Sequence, residues 1–107
     1  MAKRIPPTHP AARRQLEALG DRLRTARLRR GLTQAMLAQR VGVHVQTLIK
    51  LESGTPSTSL ATMLRVLQSL GLAADIDAIA ADDTQGHLIQ DSRLPQVVRP
   101  RRDEPAE

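Results

Sequence analysis

The sequence contains no cysteine and no aromatic residue. Without cysteine there is no disulfide framework and no thiolate metal site, a usage that fits a reducing cytosol. Without Phe, Tyr or Trp, unpaired bases have no aromatic face to stack on, which argues against most single-strand nucleic-acid binding. No run approaches the ~18 consecutive apolar residues of a membrane-spanning helix. The opening MAKRIPPTHP lacks the hydrophobic region of a secretion signal. The expectation is a cytoplasmic protein with no membrane partner. His9, His44 and His87 are widely separated, with no paired ligand spacing. Asp75, Asp77, Asp82 and Asp83 lack the spacing, glycine and closing glutamate of a calcium loop. There is no glycine-rich phosphate loop and no catalytic cluster, so no metal, no cofactor and no enzymatic activity are expected.

The chain does hold 107 residues, enough for one small domain with tails, and an aliphatic core can be drawn from its 15 Leu, 6 Val and 5 Ile. Charge is unevenly placed. Residues 1–50 carry 11 Lys or Arg against only Glu17 and Asp21, whereas residues 72–107 carry 8 acids against Arg93, Arg99, Arg101 and Arg102. A basic half followed by an acidic segment implies a nucleic-acid face and a different surface elsewhere.

The stretch Thr33–Gly54 organises the rest. Leu37, Ala38, Val41, Val43, Leu48 and Leu51 recur at steps of three and four within two short segments, about 34–40 and 45–53. Gly42 stands between them, where a left-handed backbone is cheapest. Thr33 can cap the first helix, and small Ala38 stands where the two helices come closest. Together these features predict a helix-turn-helix, whose second helix enters the DNA major groove.

Outside that stretch, residues 1–10 read as a flexible arm. A long helix is predicted over about 11–30, with Leu16, Leu19, Leu23 and Ala26 on one stripe. Gly20 is a weak point in its interior, and the helix could begin properly only near Asp21. Arg27 falls on the inward stripe, where a lone cation is costly, and Glu52 is its candidate partner. Ser59 caps a further helix over 60–70, with Leu60, Met63, Leu64, Leu67 and Leu70 inward. Residues 72–80 fit a short helix better than a strand, since Ala and Asp are poor strand formers. A last helical turn is predicted over 85–90, followed by a charged, Pro-rich tail. The domain divisions are thus 1–10, 11–80 with its motif at 33–54, and 81–107.

An outward face on the second helix of the motif can meet DNA. Gln46 can bind adenine bidentately or donate to guanine, Lys50 can reach guanine acceptors or a phosphate, and Val45 can pack on a thymine methyl group. Thr47 and His44 flank them. His44 takes the cap position, where Ser or Thr is usual, and either touches phosphate or is simply exposed. Gln34 opens the first helix, where its side chain and the free backbone N–H groups can hold a phosphate. Thr33, Thr55 and Ser57 add short donors nearby.

Thr33-Gln34, Leu37-Ala38, Gly42-Val43 and Leu51-Glu52-x-Gly54 resemble the XRE (Cro/C1-type) helix-turn-helix repressor family over about Leu19–Leu72. The resemblance implies an all-α, five-helix, lambda-repressor-like domain with flexible termini that binds operator DNA as a homodimer. Gln34 then corresponds to the phosphate-anchoring glutamine, and Val45, Gln46 and Lys50 to base-reading positions. Thr47 corresponds to a backbone or base-edge contact, and Arg27 with Glu52 to an inward ion pair. Val45 departs from the glutamine frequent at its position. A narrower resemblance, to HipB-type antitoxins, rests on LGDRLRTARLRRGLTQ, SLATMLRVLQSLGL, Leu88–Asp91 and Leu94-Pro95-x-Val97-Val98-Arg99. It implies autoregulation of an operon and binding of a HipA-like Ser/Thr kinase toxin. The expected dimer surface is the end of the fourth helix and Leu72–Ile79. The toxin would meet the acidic stretch from Asp75 to Asp91 and the tail. The alternatives are a stand-alone regulator without a toxin and a protein-interaction adaptor that kept the fold.

Overall fold

The computed structural model describes residues 7–93, and these hold six helices and no strand. The N-terminal residues 1–6 and the Leu94–Arg99 patch lie outside the described residues. The order is α1 (Pro10–Arg29), α2 (Gln34–Val41), α3 (Val45–Glu52), α4 (Leu60–Leu70), α5 (Ala74–Asp77) and α6 (Thr84–Ser92). No helix among the described residues is long and apolar enough to cross a membrane. The chain divides into two compact units, one ending at Asp77 and the other beginning at Ala78. The first contains α1 to α5, and the second contains α6.

The core of the first unit is aliphatic. Leu23 and Ala26 of α1, Leu37 and Ala38 of α2, Leu48 and Leu51 of α3, and Val66, Leu67 and Leu70 of α4 bury one another, together with Leu32. Leu19, Val41, Val43, Met63, Leu72 and Ile76 close its rim. The three- and four-residue spacing of these side chains turns each helix inward by one stripe. Segment 72–80 is helical only over Ala74–Asp77, and Leu72 and Ile76 anchor it to the core.

Two expectations change. Gly20 does not break or delay α1, which runs unbroken from Pro10 to Arg29. Gly20 is buried where α1 crosses the end of α3, and a Cβ there would collide with the Glu52 carbonyl oxygen and lie 2.9 Å from that of Leu51. Its lack of a side chain is thus used for approach, which outweighs its weak helix propensity. The same crossing brings the α1 backbone at Glu17 against Gly54. The inward stripe of α4 is also turned from expectation. Leu60 is 69% exposed, whereas Val66 is fully buried. Leu60 opens the helix beside a groove shared with Leu16, Leu19 and Pro56, so its side chain edges the core instead of entering it.

Caps fix the helix starts. The Thr33 hydroxyl accepts from the Met36 N–H at 3.1 Å, and the Ser59 hydroxyl accepts from the Thr62 N–H at 3.1 Å. Thr33→Ala should therefore cost about 0.5–2 kcal/mol in urea unfolding. A midpoint equal to wild type would mean that the N-terminus of α2 is held by packing alone. In the second unit, the Asp83 carboxylate accepts from the Gly86 N–H at 2.8 Å and so starts α6.

Candidate nucleic-acid interface

The α2–α3 junction is tight because Gly42 is left-handed, with φ 82°. The Gly42 and Val43 N–H groups both donate to the Ala38 carbonyl, at 2.9 and 3.1 Å. This closes α2 within one residue and swings the chain across it into α3. Leu37, Ala38, Leu48 and Leu51 then fix the angle between the helices from inside.

With one side of α3 buried, the other is presented outward. His44, Val45, Gln46 and Lys50 are exposed, and Thr47 and Ile49 are half-buried beside them. Val45, Gln46, Ile49 and Lys50 lie one turn apart in pairs, so they form a single band. His44 is the N-cap of α3, but its side chain makes no capping bond. Its imidazole is free to meet a ligand. At the far end, the Lys50 carbonyl accepts from the Thr55 N–H at 2.9 Å and from the Ser53 hydroxyl at 3.0 Å, which folds the following loop back onto α3. The Thr55 hydroxyl is paired with that of Ser53 at 3.2 Å, whereas Ser57 is exposed.

At the start of α2, Thr33 satisfies the Met36 N–H through its hydroxyl and the Leu37 N–H through its carbonyl. The N–H groups of Gln34 and Ala35 have no intrahelical acceptor. Two uncommitted donors at a helix N-terminus favour an anion.

Behind this surface lies a buried ion pair. Arg27 Nε donates to Glu52 Oε2 at 2.7 Å, and Nη2 donates to Oε1 at 3.0 Å. The third arm of the guanidinium, Nη1, donates to the Leu32 carbonyl at 2.8 Å. Both residues are only 5% exposed. The fork ties α1 to the end of α3 and to the loop before α2. Gln34 joins it, since its amide Nε2 donates to Glu52 Oε1 at 3.0 Å. That link escaped the sequence reading. Eighteen residues separate the two, and a glutamine at a helix start is equally suited to solvent, phosphate or a carboxylate.

Two short helices at a left-handed glycine, an aliphatic interior and a polar outward band make a helix-turn-helix. Residues 23–76, about half of the chain, match the helix-turn-helix family HTH_3, and the chain belongs to that family of DNA-binding transcription regulators. It is 49% identical over 49 residues to an uncharacterised HTH-type transcriptional regulator of Methanothermobacter thermautotrophicus, a match covering 46% of this chain and 71% of the relative. A similar uncharacterised regulator of Sinorhizobium fredii is 36% identical over 58 residues, covering 54% and 76%. Antitoxin HipB of Escherichia coli is 34% identical over 55 residues, covering 51% of this chain and 58% of HipB.

Proposed function

We propose that this protein is a dimeric, sequence-specific repressor that binds double-stranded operator DNA, and that it acts as a cytoplasmic HipB-like antitoxin controlling its own operon and holding a HipA-like kinase toxin. The observation that carries the DNA reading is the exposed Val45–Gln46–Lys50 band of α3, on a helix whose last residue is bonded to Gln34 at the start of α2. In this mechanism Thr33, Gln34 and the free N–H groups hold a phosphate and fix register. Val45, Gln46 and Lys50 then read base edges in the major groove, flanked by His44 and Thr47. The basic half of the chain supplies long-range attraction. A second copy, joined through the end of α4 and α5, would set two recognition helices one DNA turn apart.

A shift assay on DNA from upstream of the protein's own gene tests this. Gln46→Ala and Lys50→Ala should each weaken binding by about 1–3 kcal/mol if they contact bases, roughly five- to 150-fold. Repeating the Lys50→Ala titration across salt separates a phosphate contact, which flattens the salt slope by about one, from a guanine contact, which relaxes base preference. Binding by both variants equal to wild type would remove α3 from the interface.

The antitoxin reading is supported by the similarity to a relative named antitoxin HipB and by the HipB-like Leu88–Asp91 segment. The two relatives named as transcriptional regulators favour the second reading, a stand-alone regulator. Co-expression with the neighbouring gene decides between them. A stable complex with a kinase-like product supports the antitoxin, and separate elution supports the stand-alone regulator.

A further inference from the structure

We propose that Glu52 is a positioning residue for DNA binding, because its carboxylate pins the Gln34 amide at the phosphate-facing start of α2. The inference rests on the reading that Gln34 holds a phosphate. An amide nitrogen carries two hydrogens. One is taken by Glu52 Oε1 at 3.0 Å, and the other has no hydrogen-bond partner among the described residues, on the residue that opens α2. A free glutamine loses rotamer freedom when it binds, whereas a pinned one has lost it on folding. The carboxylate alone would be a poor anchor here, since a bare anion behind the site would repel the phosphate. The two-pronged grip of Arg27 on both carboxylate oxygens cancels that charge. Arg27 and Glu52 therefore form a neutral buried clamp, held to the backbone through the Leu32 carbonyl and to the DNA-facing side chain through Gln34. A mutation in the interior can then change affinity without touching DNA.

The test replaces both charges together. Arg27→Met/Glu52→Met leaves no unpaired charge; the Leu32 carbonyl loses its Arg27 donor, but exchanging a buried ion pair for apolar residues is often neutral or stabilising, which offsets that loss. Affinity for the upstream DNA is measured for wild type, Gln34→Ala, the double methionine variant and the triple variant. The expected result is a loss of about tenfold for Gln34→Ala, a similar loss for the double variant with an undiminished melting temperature, and no further loss in the triple variant. Multiplying losses, or a double variant that binds like wild type while Gln34→Ala does not, would overturn the positioning role. If Gln34→Ala itself binds like wild type, the phosphate reading fails first and the positioning role goes with it. Unmodified, DNA-free protein gives a second measurement that needs no variant to fold. The Gln34 side-chain amide should show an NMR order parameter close to the rigid-backbone value of about 0.85. Mobility equal to that of the exposed Gln46 amide would overturn the proposal.

Discussion

Arg27→Ala is expected to lose about 3–5 kcal/mol of folding stability, a large part of the total for a unit of this size. The substitution removes three donated hydrogen bonds at once, two to Glu52 and one to the Leu32 carbonyl. It leaves a carboxylate that is 5% exposed with only the Gln34 amide as a donor. Water reaches the stranded carboxylate only by opening this region, since Glu52 and its neighbour Leu51 are both buried. For a domain of this length each kcal/mol moves the melting temperature by roughly 4–8 °C, so a drop on the order of 20 °C should appear by calorimetry. The Arg27→Met/Glu52→Met variant should recover most of it, since the penalty comes from an uncompensated charge and not from absence of the pair. A melting temperature for Arg27→Ala within a degree or two of wild type would show that Glu52 reaches solvent in the folded protein.

The contrast with what the sequence makes legible is instructive. The motif between Thr33 and Gly54 can be read in place because its determinants are local. Leu37, Ala38, Leu48 and Leu51 repeat at helical spacing, and Gly42 marks the bend. The all-helical fold follows from the same kind of signal. Arg27 is legible for a different reason. A cation on an apolar stripe demands a partner, and before Asp75 the sequence offers only Glu17, Asp21 and Glu52. What periodicity does not carry is distance between segments. Whether Leu60 enters the core depends on where α4 begins relative to α1, and whether Gln34 turns inward depends on the end of α3. The outward band of α3 lies between these cases. Its exposure follows from the burial of Leu48 and Leu51, but its base preference is set by side-chain chemistry that DNA must complete.

Gly20 is the sharpest instance, and it makes the second large prediction. By helix propensity alone, Gly20→Ala should stabilise α1 by about 0.8–1 kcal/mol. The structure reverses the sign. A Cβ at this position meets only backbone, with the Glu52 carbonyl carbon at 2.7 Å and the Leu51 oxygen at 2.9 Å. Backbone cannot rotate aside as a side chain can, so α1 must lift off the end of α3. Overpacking of this kind costs about 1–3 kcal/mol. Here the same displacement also stretches the Arg27–Glu52 fork, whose partners lie on the two helices being separated. The net expectation is destabilisation by at least ~1 kcal/mol, seen as a fall of several degrees in melting temperature. Asp21→Ala, one residue further on and exposed, should stay within about 0.5 kcal/mol of wild type and controls for changes in helix propensity. If Gly20→Ala melts at or above wild type, the two helices are not in backbone contact. The opposite result means that α1 and α3 are locked together at a point where only hydrogen fits, directly behind the residues that hold Gln34 in place.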